Sequence, residues 1–230
     1  MKYNHVLNDI FDFFLPRFCL SCNKKLSAAD KILCDECFSL LKFVPKNLLE
    51  SEFQRKFQEE KVISDFASLF AFESDGVLQK VIHELKYNQK FSIGVYLGEL
   101  IGEYLKEQIN QNNIEIILPV PIHKLKKAER GYNQSYYISK GISKRLNIPV
   151  QQNLLKRIRY TDSQTNLGIE ERKKNVINAF KSNKHNKIAG KSILLVDDVI
   201  TTGATITECG RELLNAGAKK ICAVSVGLAQ

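Results

Sequence analysis

The 230-residue sequence has no tryptophan, one methionine, five prolines and no internal repeat or low-complexity tract. Its apolar stretches, such as residues 114–120, fall far short of the roughly 20 residues that a membrane-spanning helix needs. No basic segment precedes a small-residue cleavage site, as it would in a secretory signal peptide. We therefore expect a cytoplasmic protein. With 44% hydrophobic and 26% charged residues, the composition excludes wholesale disorder and predicts a globular chain that can bury a core without disulfides.

The net charge of +9 is concentrated in one part of the chain. Sixteen Lys and Arg residues against five Asp and Glu residues lie within residues 111–190, whereas residues 51–110 and 191–230 carry no net positive charge. Two interpretations stay open. The basic stretch could face a polyanion, such as a nucleic acid or a phosphorylated metabolite, or it could be an ordinary solvated face.

Alternating helix and strand patterns follow a domain boundary that we place near residue 60. Residues 1–60 are predicted to hold an N-terminal helix (residues 3–15), a cysteine-rich module and a polar connector. In residues 61–230 the patterns predict helices over 77–87, 93–109, 132–146 and 206–216, and strands over 114–119, 192–196 and 220–226. Residues 156–187 have weak periodicity and predict a mobile loop with a short helix. Strands that alternate with helices indicate an α/β domain with a doubly wound, mostly parallel sheet.

Two acids and a turn rich in glycine and threonine follow the predicted strand over residues 192–196. At the carboxyl edge of a parallel strand, Asp197 and Asp198 can accept hydrogen bonds from vicinal hydroxyls of a sugar. The turn consists of Thr201, Thr202, Gly203, Ala204 and Thr205. Its N–H groups, its hydroxyls and the helix N-terminus after it predict a cradle for a monophosphate. The chain lacks both the Walker and the dinucleotide-binding glycine motifs. The alternative is a plain acidic turn with a threonine N-cap.

Residues 193–205 resemble, at every position, the phosphoribosyl diphosphate (PRPP) signature of type I phosphoribosyltransferases. The resemblance implies that Asp197 and Asp198 bind the ribose hydroxyls and that residues 201–205 bind the 5′-phosphate. Over nearly all of residues 15–227 the chain resembles the ComF family of competence-type proteins. The shared features, in family order, are two Cys-x-x-Cys pairs, Leu85-Lys86-Tyr87, Pro119-Val120-Pro121, Arg130-Gly131-Tyr132-Asn133-Gln134, Gln164, Arg172, Asn175 and Phe180. The implied fold is a type I phosphoribosyltransferase fold with a small zinc ribbon.

The resemblance also implies the other half of the site. The segment Pro119-Val120-Pro121 is similar to the diphosphate-binding loop of this fold, and the basic stretch begins beside it. We expect Arg130 to Gln134 to open the next helix and to add a bidentate guanidinium at its N-terminus. A surface cation is the alternative for Arg130. Lys86 and Tyr87 resemble residues that border the acceptor pocket.

Residues 157–180 resemble the flexible loop that closes over the substrate in amidophosphoribosyltransferases. Gln164, Thr165 and Arg172 would be its contact residues, and closure would exclude water from the reacting centre. The chain begins Met-Lys-Tyr with no cysteine before Cys19, so we expect no glutaminase half-reaction.

The resemblance implies displacement of diphosphate from PRPP by an unknown acceptor, either an amine or a nucleobase. Magnesium would bridge the diphosphate and ribose oxygens. Whether turnover occurs stays open. The alternative is a non-catalytic, PRPP-sensing accessory protein that handles single-stranded DNA, because the family is associated with DNA uptake during natural transformation. Competence-machinery proteins would then be partners, and Tyr132, Tyr136 and Tyr137 could offer stacking surfaces.

Four of the six cysteines form two closely spaced pairs. Cys19-x-x-Cys22 and Cys34-x-x-Cys37 are separated by eleven residues, a spacing suited to tetrahedral zinc. Disulfide or redox pairs and an iron–sulfur cluster are the alternatives to zinc, and in a cytosolic protein disulfides explain this spacing less well than zinc does. We predict a structural zinc site that holds together a segment too small to bury its own core. The other two cysteines are expected to be ordinary buried residues.

Overall fold

The structure, a computed structural model, describes residues 16–160, 175–183 and 185–229. Its strands are β1 (Asp65–Ala71), β2 (Ile116–Pro119), β3 (Leu155–Arg157), β4 (Phe180–Ser182), β5 (Ser192–Ile200) and β6 (Lys220–Leu228). Its α-helices are α1 (Asp35–Ser39), α2 (Lys46–Phe53), α3 (Val77–Tyr87), α4 (Phe91–Tyr104), α5 (Lys106–Gln111), α6 (Lys124–Arg130), α7 (Gln134–Leu146) and α8 (Ala204–Asn215). A π-helical turn, Gln54–Gln58, continues α2, and His185–Lys187 is a 3-10 turn. The predicted helix over residues 3–15 and the predicted contacts Gln164, Thr165 and Arg172 lie outside the described residues.

Four strands form one parallel sheet in the order β1-β6-β5-β2. The central strand β5 is buried and continuously apolar from Ile193 to Val196, as expected for a parallel strand covered on both faces. The strands β3 and β4 form a separate antiparallel pair. The predicted α/β class with a mostly parallel sheet is confirmed.

Helices cover both faces of the sheet. On one face α4 and α7 cross in backbone contact, since a Cβ added to Gly98 would lie 2.0 Å from the carbonyl oxygen of Ile138. The small residue therefore allows the close approach that seats the N-terminus of α7 above the carboxyl ends of β2 and β5. On the other face α8 packs together with Phe57 of the π-helical turn and Phe66 of β1. No α-helix within the described ranges is long and apolar enough to cross a membrane.

Several predicted boundaries differ from the structure. Strand β5 continues through both acids to Ile200, because Asp197, Val199 and Ile200 still pair with β6. Helix α8 begins at residue 204 rather than 206. The helix predicted over residues 93–109 is divided at Leu105, whose φ and ψ of −109° and 12° are not helical.

The prediction that Arg130 opens the helix of residues 132–146 is wrong. Arg130 instead ends a separate helix, α6, which the sequence pattern did not predict. Gly131 then takes a left-handed conformation (φ 79°), and the Asn133 side chain caps α7 by accepting a hydrogen bond from the Ser135 N–H. A glycine C-cap followed by an asparagine N-cap separates the two helices.

Candidate functional site

Two neighbouring carboxylates lie near the carboxyl end of β5. Asp197 Oδ1 accepts hydrogen bonds from Ser135 Oγ of α7 at 3.1 Å and from the Asp198 N–H at 2.9 Å. Asp198 Oδ2 lies 2.9 Å from the Nζ of Lys86, at the end of α3. The sheet edge therefore brings together groups from α3, α7 and β5 that are far apart in sequence.

The two acids differ in their electrostatic surroundings. Burial and, to a smaller extent, the charge of Asp198 raise the pKa of Asp197 from 3.8 to about 7, against the opposing effect of its hydrogen bonds and of Lys86. Burial acts to lower the pKa of Lys86, but the attraction of Asp198 outweighs it and leaves that pKa raised. Asp198 thus forms an ion pair with Lys86, whereas burial favours the protonated form of Asp197.

The turn after β5 leads directly into the N-terminus of α8. Gly203 has a φ of 79°, a conformation that favours glycine. The turn and the first residues of α8 line a cavity of about 40 Å³ that also touches Asp197. The first N–H groups of a helix have no intrahelical partner, and the macrodipole is positive at this end. The cavity therefore suits a small anion held beside the two carboxylates.

Unsatisfied donors lie where α6 gives way to α7. The side chain of Gln134 is buried (2% exposed), and its Nε2 has no hydrogen-bond partner among the described residues. Its Oε1 accepts a hydrogen bond from Arg130 Nη1 at 3.3 Å, and the buried Nε of Arg130 also lacks a partner within that part of the chain. Native proteins rarely leave buried donors unpaired. These two residues fit a site for an anionic ligand.

The four clustered cysteines meet at one point. Their sulfur atoms all lie within 4.8 Å of one another. The Sγ atoms of Cys22 and Cys34 are 3.7 Å apart, close to the roughly 3.8 Å between two sulfurs bound tetrahedrally at about 2.3 Å from zinc. Burial acts to raise the pKa of Cys19, but hydrogen bonds from backbone N–H groups lower it to about 6. This set could bind a zinc ion.

The comparisons with known proteins agree with this geometry. Residues 133–229 match the phosphoribosyl transferase domain family. The chain is 32% identical over 148 residues to "Competence protein F" of Haemophilus influenzae, covering 63% of this chain and 65% of that protein. It is 29% identical over 147 residues to "DNA utilization protein YhgH" of Escherichia coli K12, covering 63% and 64%. It is 27% identical over 205 residues to "Competence protein ComFC" of Streptococcus pneumoniae, covering 84% and 86%.

These relatives, together with the matched domain, support this chain's membership of the ComF family. Its domain has the type I phosphoribosyltransferase fold, with four clustered cysteines before it. The matched part spans slightly less than two thirds of the length of the Haemophilus and Escherichia relatives.

Three residues of the segment 130–134, which resembles the ComF motif, stabilise the local structure around α6 and α7. The Tyr132 ring is buried, its hydroxyl donates to the Leu85 carbonyl, and burial raises its pKa to about 12. Asn133 donates to the Val120 carbonyl at 2.9 Å as well as capping α7, and Gly131 ends α6. The buried Tyr132 therefore offers no exposed face for stacking.

The segment Pro119-Val120-Pro121 has no free backbone donor. Proline has no N–H, and the Val120 N–H is already donated to the Val196 carbonyl at 2.9 Å. These three residues can shape the site, but they offer no N–H to an anion, so donors for one would have to come from elsewhere, such as the Arg130 side chain. The arginine guanidinium also lies over the ring of Tyr87, 5.7 Å from its centroid.

Two further groups lie at the site that the local sequence patterns did not predict. Ser135 contacts Asp197, and its position directly after Gln134 in the motif was the available signal. Lys56, from the segment taken as a polar connector, donates to the Thr201 carbonyl in the turn. No local pattern marks Lys56, because it is one of several charged residues in its segment.

Proposed function

We propose that this ComF-family protein binds PRPP with Mg²⁺ and transfers the phosphoribosyl group to a nitrogen acceptor, an amine or a nucleobase. The observation that carries the proposal is the juxtaposition of the Asp197–Asp198 pair with the anion cavity at the N-terminus of α8. The unpaired donors of Gln134 and Arg130 support an anionic ligand on the α7 side.

Each group has a task in this reaction. Asp197 and Asp198 would accept hydrogen bonds from the ribose hydroxyls, and residues 201–205 would hold the 5′-phosphate. The C1–O bond to diphosphate would break, and its electron pair would leave with the diphosphate oxygen. A C1–N bond would form, and the acceptor nitrogen would lose a proton. Arg130 would stabilise charge on the leaving diphosphate. Magnesium, when bound, would neutralise diphosphate and ribose oxygens, and the two carboxylates suit such a hard cation.

Lys86 and Tyr87 would border the acceptor. The ammonium of Lys86 is held by Asp198, so it lies next to the ribose-binding acid. The Tyr87 ring is 51% exposed and has the Arg130 guanidinium against it. An exposed ring backed by a cation suits a planar acceptor.

Calorimetry with PRPP and Mg²⁺ tests the proposal. The unmodified protein should bind PRPP saturably, Asp198→Ala should abolish binding, and the exposed Glu107→Ala should leave it unchanged. Diphosphate release should then be measured against a panel of amines and nucleobases. Absence of PRPP binding by the unmodified protein would overturn the proposal, whereas binding without release would favour the non-catalytic alternative.

The second candidate is a PRPP-sensing accessory protein that handles single-stranded DNA. It is supported by the names of the relatives and by an aromatic and basic surface beside the site. Phe91 and Tyr137 stack at 5.1 Å between centroids, and Lys140 lies 5.9 Å from the Tyr136 ring. Stacked aromatics interleaved with cations suit unpaired bases. Binding of single-stranded DNA at about 50 and about 200 mM salt, with and without PRPP, tests this candidate.

We further propose that the four cysteines hold a structural zinc ion, that the protein is cytoplasmic, and that it contacts competence-machinery proteins. We propose two domains, residues 1–60 with the zinc ribbon and connector, and residues 61–230 with the transferase fold. The connector packs against the sheet, because Phe57 lies in the same core as Leu195 of β5 and Ile206 of α8.

A further inference from the structure

A buried ion pair lies behind the turn of residues 201–203. Lys56 Nζ is 2.6 Å from Glu52 Oε2, and the two side chains are only 3% and 9% exposed. Two buried charges cost free energy unless their remaining hydrogen-bonding capacity is satisfied. Lys56 satisfies its own, because its ammonium also donates to the carbonyl of Thr201 and, at 3.1 Å, to that of Ala229.

Phe57, the residue after Lys56, supports the same turn. A Cβ added to Gly203 would lie 2.8 Å from Phe57 Cε1 and 3.3 Å from Lys56 Cβ. Both residues belong to the π-helical turn that continues α2. Such turns occur often at functional sites. The π-helical turn therefore packs directly behind the turn that we propose binds the 5′-phosphate.

The hydrogen bond from Lys56 to the Thr201 carbonyl also sets the direction of the Thr202 N–H. A trans peptide is planar, so the N–H of Thr202 points opposite to the C=O of Thr201. Because that carbonyl points at Lys56, the Thr202 N–H points away from the connector. Thr202 lines the anion cavity, so the buried ammonium fixes the orientation of a backbone donor there.

We propose that Lys56 is a positioning residue for the 5′-phosphate turn, set by its ion pair with Glu52. The inference rests on the proposed function, since it assigns the cavity to the phosphate of a ribose 5-phosphate group. It also makes the connector part of the binding site, although Lys56 itself is behind the turn and does not touch the ligand.

The test compares ligands that do and do not carry a 5′-phosphate. Lys56→Met should weaken PRPP and ribose 5-phosphate about tenfold or more, the loss expected when one donor to an anion is misdirected. Diphosphate should bind as before. Lys46→Met, on the same helix with a 90% exposed side chain, is the matched control and should change none of the three affinities. Lys56→Arg should restore part of the phosphate affinity.

Lys56→Met would leave Glu52 paired only with Arg55, whose Nη2 lies 2.6 Å from Oε2. A second variant covers the case in which this loss of a buried partner unfolds the protein. The double variant E52Q/K56M removes both charges and should show the same selective loss. Equal weakening of all three ligands, or full retention of ribose 5-phosphate affinity in the folded double variant, would overturn the inference. Failure of the unmodified protein to bind PRPP would instead overturn the proposed function. Backbone amide shifts of Thr202 and Gly203 in the ligand-free variants, measured by NMR, should move only when Lys56 is changed.

Discussion

Lys86 at the end of α3 forms an ion pair with Asp198 of β5, with 2.9 Å between Nζ and Oδ2. The two side chains are 25% and 13% exposed, so the pair is largely shielded from solvent. It connects a helix that borders the proposed acceptor side to an acid that would bind ribose. Removal of either partner would leave the other charge poorly compensated.

Lys86→Met should therefore lower the free energy of unfolding by about 2 kcal/mol in urea denaturation. Asp198→Asn should have a similar effect, and the double variant should lose less than the sum of the two single losses. Lys90→Met is the control, because the Lys90–Glu84 pair is more exposed and should contribute less. Additive losses in the double variant would contradict an energetically coupled pair.

Asp197 should make stability depend on pH. Its pKa is raised from 3.8 to about 7 in the folded protein, so between these values the native state binds more protons than the unfolded state. This acid therefore reduces stability progressively as pH rises from about 4 to about 7. Asp197→Asn should raise the free energy of unfolding at pH 8 by up to about 4 kcal/mol, since one pKa unit corresponds to about 1.4 kcal/mol, and it should flatten that slope.

The neighbouring acid provides the contrast for Asp197. Asp198→Asn should destabilise the protein at the same pH, since it removes the partner of Lys86. Chemical denaturation of both variants across this pH range is the measurement. If Asp197→Asn were the less stable of the two at pH 8, the raised pKa of Asp197 would be refuted.

The cysteine cluster predicts about one zinc per chain by elemental analysis. Cys22→Ser should lose most of the metal, because a four-thiolate site loses one ligand. Cys209→Ala is the matched control, since Cys209 is buried in the α8 core and lies outside the cluster. A folded, metal-free preparation of the unmodified protein would rule out the zinc ribbon.

Alanine substitutions at Gly203 and Gly190 distinguish the effect of backbone strain from the effect of a collision with Phe57 behind the turn of residues 201–205. Both have positive φ, 79° and 73°, but a Cβ at Gly190 would meet nothing within 4 Å, whereas one at Gly203 would collide with Phe57. Gly190→Ala should cost about 1 kcal/mol of stability through strain alone and leave PRPP affinity unchanged. Gly203→Ala should cost more and weaken PRPP, measured by denaturation and calorimetry. Equal effects at the two glycines would contradict the proposal that Phe57 and Lys56 support the turn that binds the 5′-phosphate.

The central part of the site could be predicted from local pattern. A buried strand, two acids and a threonine- and glycine-rich turn are adjacent in the chain, so their relation needs no tertiary contact to define it. The cysteine pairs could be grouped for the same reason, since spacing alone restricts them to a compact module. The parallel sheet followed from the alternation of strands and helices.

Helix boundaries near Arg130 could not be predicted in this way. Residues 124–146 read locally as one basic stretch followed by one helix, and the separation depends on the left-handed Gly131 and the capping Asn133. The similarity of Pro119-Val120-Pro121 to a diphosphate-binding loop likewise says nothing about the Val120 N–H, and only its pairing with β5 shows that this donor is already used.

The amino-acid sequence by itself determined the α/β class, the two carboxylates, the turn rich in glycine and threonine, and the four clustered cysteines, because each depends on residues close together in the chain. Only the tertiary structure decided which distant groups join them. Lys86, Ser135 and Lys56 reach the site through the packing of α3, α7 and the π-helical turn. Their roles depend on burial and on pairing with a specific partner, and neither property is encoded in local spacing.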